Sequence, residues 1–267
     1  MITLLSPAKS LDFETTPVTA TCTEPRMLDE ASALIEVLRG LAVSDIAGLM
    51  GISDDLAALN AQRYAGFSVP FTRRNAKQAL LAFAGDVYQG MDAARRFDAR
   101  DFTEAQKTVR ILSGLYGVLR PLDLIQPYRL EMGTRLRTER GATLYQWWGD
   151  RIAEQLAVDL AASPGADVVV NLASEEYFGA VRPDALAARV IAPRFEDANA
   201  RGRRSIVSFY AKRARGMMAG WMVRGRVRTP RALTEFDEAG YRYDRSSSTP
   251  DRPVFVRSFE DRPAPVG

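Results

Sequence analysis

The segment from Ser113 to Met132 constrains the fold of this chain most, because its glycines and prolines exclude a continuous helix. Gly114 and Gly117 permit backbone angles and close approaches that a side chain would prevent. Pro121 and Pro127 fix their own φ angles and push the residues before them out of the helical region. We therefore predict a long, stiff and irregular connection here, with neither helix nor strand.

The same segment is apolar but contains four charged side chains, those of Arg120, Asp123, Arg129 and Glu131. A buried charge is tolerated only when it is paired or used in function. Long ordered loops without secondary structure are uncommon in compact domains and are often functional. Two interpretations stay open: the two arginines add positive charge to the wall of a groove, or Asp123 and Glu131 neutralise them.

The chain of 267 residues contains no histidine and one cysteine, Cys22. The absence of histidine excludes Ser-His-Asp triads, Cys-His dyads and histidine-ligated metals. A single cysteine excludes an internal disulfide and a multi-thiolate metal site within one chain. Any general acid or base must be Asp, Glu, Lys, Tyr, Cys or a bound water, and any metal would need oxygen ligands. We predict no metal and no cofactor.

Strand-like runs lie at both ends of the chain, and helical patterns lie between them. The predicted strands are Ile2 to Leu5, Val168 to Leu172, Arg189 to Phe195, Ser205 to Phe209, Tyr241 to Asp244 and Val254 to Phe259. One helix is predicted from Thr103 through Leu112, directly before the stiff segment. This order predicts an α/β (mixed α+β) fold in a single domain, residues 1–262, with a mixed sheet surrounded by helices and a Pro-rich tail at residues 263–267.

No apolar run is long enough to cross a bilayer, and no basic region precedes the first residues. We therefore expect a cytoplasmic protein without a membrane partner. We make no prediction of its oligomeric state.

Residues 44–57 predict two short helices joined by a tight glycine turn, which resembles the helix-hairpin-helix motif of DNA repair proteins. In that motif the hairpin offers backbone N–H groups to a phosphate. Gly51, Ile52 and Ser53 are therefore candidate DNA contacts. However, Ser53 stands where a second glycine is usual, and Asp54 and Asp55 would repel a phosphate. An ordinary αα-hairpin with Ser53 as the N-cap remains an open alternative.

The strongest charge signal lies between Asp197 and Glu235, where no acidic residue occurs. We call this interval the basic segment. Its ten cationic residues are Arg201, Arg203, Arg204, Lys212, Arg213, Arg215, Arg224, Arg226, Arg228 and Arg231, against a formal net charge of +3 for the whole chain. Charge segregated in this way indicates a face that attracts an anion, and a polyanion is the natural partner.

Part of the basic segment, from Tyr210 to Val223, is helical in pattern. The candidate DNA contacts in the segment are Arg203, Arg204, Lys212, Arg213 and Arg215. A solvated basic face without a partner, or contact with an anionic membrane, stays open as an alternative. No sequence-specific recognition module is present, so we expect salt-sensitive contact with the phosphate backbone.

Polar residues follow two predicted strands. Lys9 comes shortly after the first strand, where it could contact a phosphate, act as an amine nucleophile, or be an ordinary surface lysine. The turn from Ser174 to Tyr177 follows the strand at Val168 to Leu172, and polar residues at strand ends often line a site.

Several motifs together resemble the YaaA family of peroxide-stress proteins over nearly the whole chain. They are Ser6-Pro-Ala-Lys-Ser-Leu-Asp12, Gly85-Asp-Val-Tyr88, Leu112-Ser-Gly-Leu-Tyr-Gly-Val-Leu-Arg-Pro-Leu-Asp123, Gln126-Pro-Tyr-Arg-Leu-Glu-Met-Gly133, Val170-Asn-Leu-Ala-Ser174 and Phe209-Tyr-Ala-Lys-Arg-Ala-Arg-Gly216. Ser10 stands where threonine is expected, and residues 224–231 are more basic than expected.

The resemblance implies a cytoplasmic bacterial protein that is induced by hydrogen peroxide, protects DNA and limits intracellular iron. It also implies one α/β domain with a positively charged cleft and a helix-hairpin-helix element that binds duplex and branched DNA. It implies no catalytic residues.

We therefore predict a DNA-binding protein of the peroxide stress response. The predicted DNA contacts are Lys9, Gly51, Ile52, Ser53, Arg120, Arg129, Arg203, Arg204, Lys212, Arg213 and Arg215. The alternative is a DNA-repair enzyme, either glycosylase/lyase-like or a carboxylate-metal nuclease. It would use Lys9 or Lys212 as a nucleophile, or the carboxylates Asp12, Asp86, Glu131 and Asp150 as acid, base or metal ligands. An iron-handling protein ranks last.

Overall fold

The computed structural model describes residues 1–262, so the predicted Pro-rich tail at residues 263–267 lies outside the described residues. The helices in chain order are α1 (Leu28–Arg39), α2 (Val43–Met50), α3 (Asp54–Gly66), α4 (Ala79–Ala82), α5 (Asp86–Met91), α6 (Ala93–Arg96), α7 (Ala99–Thr108), α8 (Leu144–Trp148), α9 (Arg151–Ala162), α10 (Glu175–Phe178), α11 (Pro183–Leu186) and α12 (Ser208–Arg224).

The strands are short and spread along the chain. They are β1 (Ile2–Leu5), β2 (Lys77–Gln78), β3 (Val109–Ser113), β4 (Gly117–Leu119), β5 (Leu124–Ile125), β6 (Val168–Asn171), β7 (Arg189–Ile191), β8 (Arg194–Ala198), β9 (Arg204–Ser205), β10 (Arg242–Tyr243) and β11 (Val254–Arg257).

The largest sheet has the strand order β4-β3-β1-β6-β7. Strands β3, β1, β6 and β7 are parallel, and β4 is antiparallel to β3. Every residue of β1 is buried, including Thr3, because a parallel strand inside the sheet is covered on both faces. Leu5 pairs with Ile111 and Leu4 with Asn171, so the carboxyl ends of β1, β3 and β6 lie side by side.

A second sheet has the order β10-β11-β8-β9 and is also mixed, because β8 and β11 are parallel while the outer strands are antiparallel. Strands β2 and β5 form a two-stranded antiparallel sheet. The prediction of a mixed α/β fold is therefore confirmed. The prediction that residues 1–262 form one domain stays a prediction. Within this range, no helix combines the length and the apolar character needed to cross a membrane.

The predicted helix from Thr103 to Leu112 is wrong at both ends. The helix α7 begins after Asp98, whose side chain accepts a hydrogen bond from the backbone N–H of Asp101 at 2.8 Å, and it ends at Thr108. The next residues form β3, which pairs with β1 and β4 and is buried throughout. Pairing at the centre of a sheet overrides the helical spacing of the apolar residues.

The stiff segment from Ser113 to Met132 is not devoid of regular structure, so that part of the prediction is wrong. It contains β4 and β5, and a tight connection joins β3 to β4, with Ser113 opposite Gly117. Gly117 has a φ of 65°, and a Cβ at this position would lie 2.6 Å from Met27 Sδ. The glycines therefore make a close strand reversal possible instead of preventing strands.

The predicted strand from Ser205 to Phe209 is also wrong, because only Arg204–Ser205 pairs as a strand and α12 begins at Ser208. Helix α12 crosses α5 with the two backbones in direct contact. A Cβ on Gly216 would lie 1.7 Å from the carbonyl oxygen of Val87, and a Cβ on Gly90 would lie 2.1 Å from that of Arg213. The two glycines are therefore required for this crossing, which sets α5 and α12 beside each other at the cavity described below.

A buried ion network connects β3, α9 and the chain before α1. Arg26, which precedes α1, donates to Asp159 of α9 through Nη2 at 2.7 Å. Arg110 of β3 donates from Nε to the same carboxylate at 2.5 Å. Only 4% of the Asp159 side chain is exposed, so its charge depends on these two guanidinium groups.

Candidate functional site

A cavity of about 510 Å³ lies at the carboxyl edge of the large sheet. Its walls come from residues 6–10 after β1, residues 84–89 at the start of α5, residues 128–131, residues 172–177 after β6, and the first half of α12. In open α/β sheets, ligands bind outside the carboxyl ends of the strands. The volume is within the range of pockets that hold small ligands.

Tyrosines supply the aromatic part of the cavity wall. Tyr88 Oη donates a hydrogen bond to the carbonyl oxygen of Ser6 at 2.9 Å, and the Tyr128 and Ser113 hydroxyl oxygens are 2.7 Å apart. Burial raises the pKa values of Tyr88, Tyr128 and Tyr177, so these side chains remain neutral phenols at physiological pH. Ser6 Oγ also accepts a hydrogen bond from the backbone N–H of Ser174 at 2.9 Å, which joins the loops after β1 and β6.

Glu131 pairs with two of the predicted cationic residues. Lys9 Nζ lies 2.9 Å from Glu131 Oε2, and Arg129 Nη2 lies 3.0 Å from Oε1. Arg120 likewise donates from Nε to Asp123 at 3.0 Å, and it does not line the cavity. Of the two interpretations left open by the sequence, the structure therefore supports the one in which both arginines are neutralised by nearby carboxylates.

Lys212 and Arg215 are the cationic side chains that α12 contributes to the cavity. They are three residues apart and so lie on the same face of the helix. Neither forms an ion pair with any residue in the described range. Arg215 is half-buried, and burial lowers its pKa, while the charge of Glu175 acts in the opposite direction. A bound anion would offset the desolvation of Arg215, so this wall is suited to an anion.

Asp86 and Glu176 add negative charge to the cavity, in contrast to the cations of α12. Asp86 is half-buried at the first position of α5, and its carboxylate has no hydrogen-bond or ion-pair partner within residues 1–262. Glu176 Oε1 accepts a hydrogen bond from the backbone N–H of Gly133 at 2.9 Å. The cavity therefore offers both anion-binding groups and free carboxylate acceptors. In the described part of the chain, no group of three or more His, Cys, Asp or Glu side chains is arranged to hold a metal ion.

The residues proposed for enzymatic chemistry divide into two sets. Lys9, Lys212, Asp86 and Glu131 line the cavity. The other two carboxylates lie outside it, and both are paired: Asp12 lies 3.4 Å from Lys77, and Asp150 lies 2.6 Å from Arg182.

The basic segment is less segregated in space than in sequence. Four of its ten cations pair with acidic residues from other parts of the chain. These pairs are Arg204 with Asp244 at 2.5 Å, Arg224 with Glu238, Arg226 with Asp101 at 2.7 Å, and Arg228 with Glu104 at 2.5 Å. The other six form no ion pair within the range the structure describes, and of these only Lys212 and Arg215 line the cavity.

The region predicted to form a hairpin contains two packed helices, α2 and α3, joined by a turn at Gly51, and its assignment as a helix-hairpin-helix motif stays a prediction. Gly51 has a φ of 60°, and its backbone N–H and that of Ile52 both donate to the carbonyl oxygen of Ala47. Ser53 Oγ accepts a hydrogen bond from the backbone N–H of Leu56 at 3.4 Å, so Ser53 is the N-cap of α3. The residues of the turn do not line the cavity, and two of the N–H groups expected to face a phosphate are used within the hairpin.

Sequence reasoning named Lys9, Asp86, Glu131, Lys212 and Arg215 individually but did not group them. It also did not commit to the cavity tyrosines or to Glu176. The available signal was the polar turn after β6, which was noted as a possible part of a site. Tyr88 lies in α5, a short helix that contains Gly90 and follows Gly85, and glycines at this spacing are more typical of a loop than of a helix.

The sequence is similar to known proteins along nearly its whole length. A family model described as "Peroxide stress protein YaaA" matches residues 1–247. UPF0246 proteins of Burkholderia mallei (strain SAVP1) and Burkholderia pseudomallei (strain 1106a) are each 55% identical to it over 258 residues, which covers 96% of this chain and 98% of theirs. The range matched by the family model includes every residue that lines the cavity.

Proposed function

The chain belongs to the peroxide stress protein YaaA family, and from that premise we propose that it is a cytoplasmic protein that binds DNA and protects it from oxidative damage. The DNA is duplex or branched and is bound without sequence specificity, mainly through its phosphates. The observation that supports this proposal is the pair of cations Lys212 and Arg215, which line the cavity from one face of α12 and form no ion pair within residues 1–262.

We expect the remaining predicted contacts to contribute less to phosphate binding. Arg203 and Arg213 have no ion pair among the described residues, so their charges are available to a phosphate outside the cavity. Lys9, Arg120, Arg129 and Arg204 are already paired with carboxylates, so a phosphate would gain less from them. The hairpin turn at Gly51, Ile52 and Ser53 is a separate contact, which would use the N–H groups at the start of α3.

Replacing Lys212 and Arg215 together by glutamine should weaken DNA binding by about tenfold or more, because two phosphate contacts are lost. The slope of log Kd against log salt should fall by about 2, since each phosphate contact accounts for about 0.9. Fluorescence anisotropy with a labelled duplex at a series of salt concentrations measures both quantities.

The matched control is the double variant Arg73→Gln with Arg74→Gln, which removes the same charge from an exposed loop outside the cavity. It should change the affinity and the salt slope little. Ser53→Asp tests the hairpin in the same assay. Aspartate keeps the N-cap and adds a negative charge that repels a phosphate, so the DNA affinity should fall. Equal affinities for the wild type and the Lys212/Arg215 variant would refute the proposal.

A second candidate function is supported by the grouping of Lys9, Lys212, Asp86 and Glu131 around one concave site. An amine nucleophile and a carboxylate acid or base are what a lyase acting on damaged DNA would need. Of the two lysines, Lys212 has no ion pair among residues 1–262, whereas Lys9 is paired with Glu131. We therefore rank Lys212 first as the nucleophile in this candidate.

Borohydride trapping tests this second candidate directly. Incubation with abasic-site DNA and borohydride should give a covalent adduct, detected as a shifted band on a denaturing gel. The adduct should persist in Lys9→Ala and be absent in Lys212→Ala. A wild-type protein that gives no adduct would exclude the lyase mechanism while leaving DNA binding unaffected.

The proposal also includes limitation of intracellular iron, which the resemblance to the YaaA family implies. Its measurement is the content of unincorporated iron in peroxide-treated cells with and without the protein. An unchanged iron content would remove this part of the proposal only.

A further inference from the structure

The cavity is larger than contact with a backbone phosphate requires. The cavity has a volume of about 510 Å³, and a phosphate bound to Lys212 and Arg215 would fill only the part beside one wall. The remaining space is lined by Tyr88, Tyr128 and Tyr177, each less than a tenth exposed, and by Asp86, whose carboxylate has no partner within residues 1–262. Such a combination of an anion site, an aromatic wall and polar acceptors matches a ligand that is charged at one end and flat at the other.

We propose that this cavity binds a single unpaired nucleotide, with its phosphate on Lys212 and Arg215 and its base against the tyrosines. Within DNA, the nucleotide would be turned out of the helix, so this inference rests on the proposed function in that case. A free nucleotide offers the same chemistry. Enzymes that read extruded bases use stacking on aromatic side chains and hydrogen bonds to the base edge.

Glu131 and Glu176 are already engaged by Lys9, Arg129 and the backbone N–H of Gly133, so Asp86 is the cavity carboxylate left to select a base edge within residues 1–262. An ionised carboxylate only accepts hydrogen bonds, and both oxygens of Asp86 are without a partner within residues 1–262. Guanine presents two adjacent donors, N1–H and the N2 amino group, which a carboxylate can accept in parallel. Thymine presents one N–H between two carbonyl oxygens, which the carboxylate repels. We therefore expect guanine to be preferred to thymine.

The contact between α5 and α12 fixes the position of the helix that carries Asp86 relative to the helix that carries Arg215. The carbonyl oxygen of Val87, next to Asp86, lies against Gly216, next to Arg215. The base acceptor and the phosphate site are therefore attached to two backbones in direct contact. The backbones that carry the phosphate site and the base acceptor are therefore fixed relative to each other before a nucleotide binds.

The test compares three DNA duplexes of equal length: one fully paired, one with a single bulged guanine, and one with an abasic bulge at the same position. The abasic bulge has the same backbone without the base, so it isolates the contribution of the base. We expect the guanine bulge to bind about tenfold more tightly than the abasic bulge, as for one recognised base. A thymine bulge should lose most of this advantage.

Two variants show whether the preference arises in the cavity. Asp86→Asn should reduce the ratio of guanine-bulge to abasic-bulge affinity. Ser10→Phe should reduce it to about one by filling the cavity, and it should fold because Ser10 is exposed. A ratio of one in the wild type, together with tight duplex binding and no binding of free dGMP, would overturn the inference and leave the proposed function intact.

Calorimetry with free dGMP, with dTMP and with inorganic phosphate separates the two sources of the nucleotide. If no DNA is bound but dGMP binds more tightly than phosphate, the proposed function fails and the inference holds for a free nucleotide. If neither DNA nor dGMP binds, both fail.

Discussion

Gly216→Ala is expected to lower the free energy of unfolding by about 3 kcal/mol, because the crossing of α5 and α12 has no room for a methyl group. The added Cβ would lie 1.7 Å from the carbonyl oxygen of Val87 and 2.9 Å from the backbone nitrogen of Met91. Both neighbours are main-chain atoms of a packed helix, so the helices must separate instead of a side chain rotating away. Chemical denaturation monitored by tryptophan fluorescence measures the change.

Gly48→Ala is the matched control, because it is the same substitution in the exposed helix α2, where nothing in the described residues apart from the local helix backbone lies within 4 Å of the new Cβ. It should raise the free energy of unfolding by about 0.5–1 kcal/mol, since alanine is the better helix former. The same substitution, glycine to alanine, is thus expected to change the free energy of unfolding in opposite directions at the two positions. A Gly216→Ala protein as stable as the wild type would mean that the helices do not cross in this way.

Asp159→Asn should lower the free energy of unfolding by about 3–5 kcal/mol, because it leaves Arg26 and Arg110 without their carboxylate. Arg110 and Asp159 are both almost fully buried, and the network joins β3, α9 and the chain before α1. Urea unfolding at pH 7 measures the loss. Glu36→Gln is the control, because it breaks the exposed pair with Arg39 and should cost less than about 1 kcal/mol.

The effect of Asp159→Asn should depend on pH in a defined direction. Burial alone would raise the pKa of Asp159, but hydrogen bonds and charges from Arg26 and Arg110 outweigh it and lower the pKa. A carboxyl whose pKa is lower in the folded state stabilises the protein fully above its unfolded pKa of about 3.9. This contribution is lost as the pH falls through the folded pKa. The stability difference between wild type and variant should therefore be constant near neutral pH and shrink below about pH 4.

The parts of the fold that sequence predicted correctly are those in which burial leaves a local pattern. Strands β1 and β6 are covered on both faces, so three of the four residues in each are apolar. Strand β3 is equally buried, but its residues continue the apolar spacing of α7, and no glycine or proline marks the change at Thr108. Only pairing with β1 and β4 distinguishes the strand from one more helical turn.

The candidate site was predictable one residue at a time but not as an assembly. Lys212 and Arg215 were identified from charge and helical spacing, which are local properties. Arg226 pairs with Asp101 and Arg228 with Glu104. The partners in each pair are more than a hundred positions apart, so no local sequence pattern predicts the pairing. The basic segment therefore overstated the free positive charge.

The glycine contact between α5 and α12 has a consequence for the cost of binding. The cavity wall that includes Asp86 and the wall that includes Arg215 belong to helices in main-chain contact, so they cannot shift independently. Association is weakened when loops and side chains must be immobilised, and preorganised sites avoid much of that entropic cost. A ligand bridging these two helices would therefore retain most of the binding energy of its contacts as affinity.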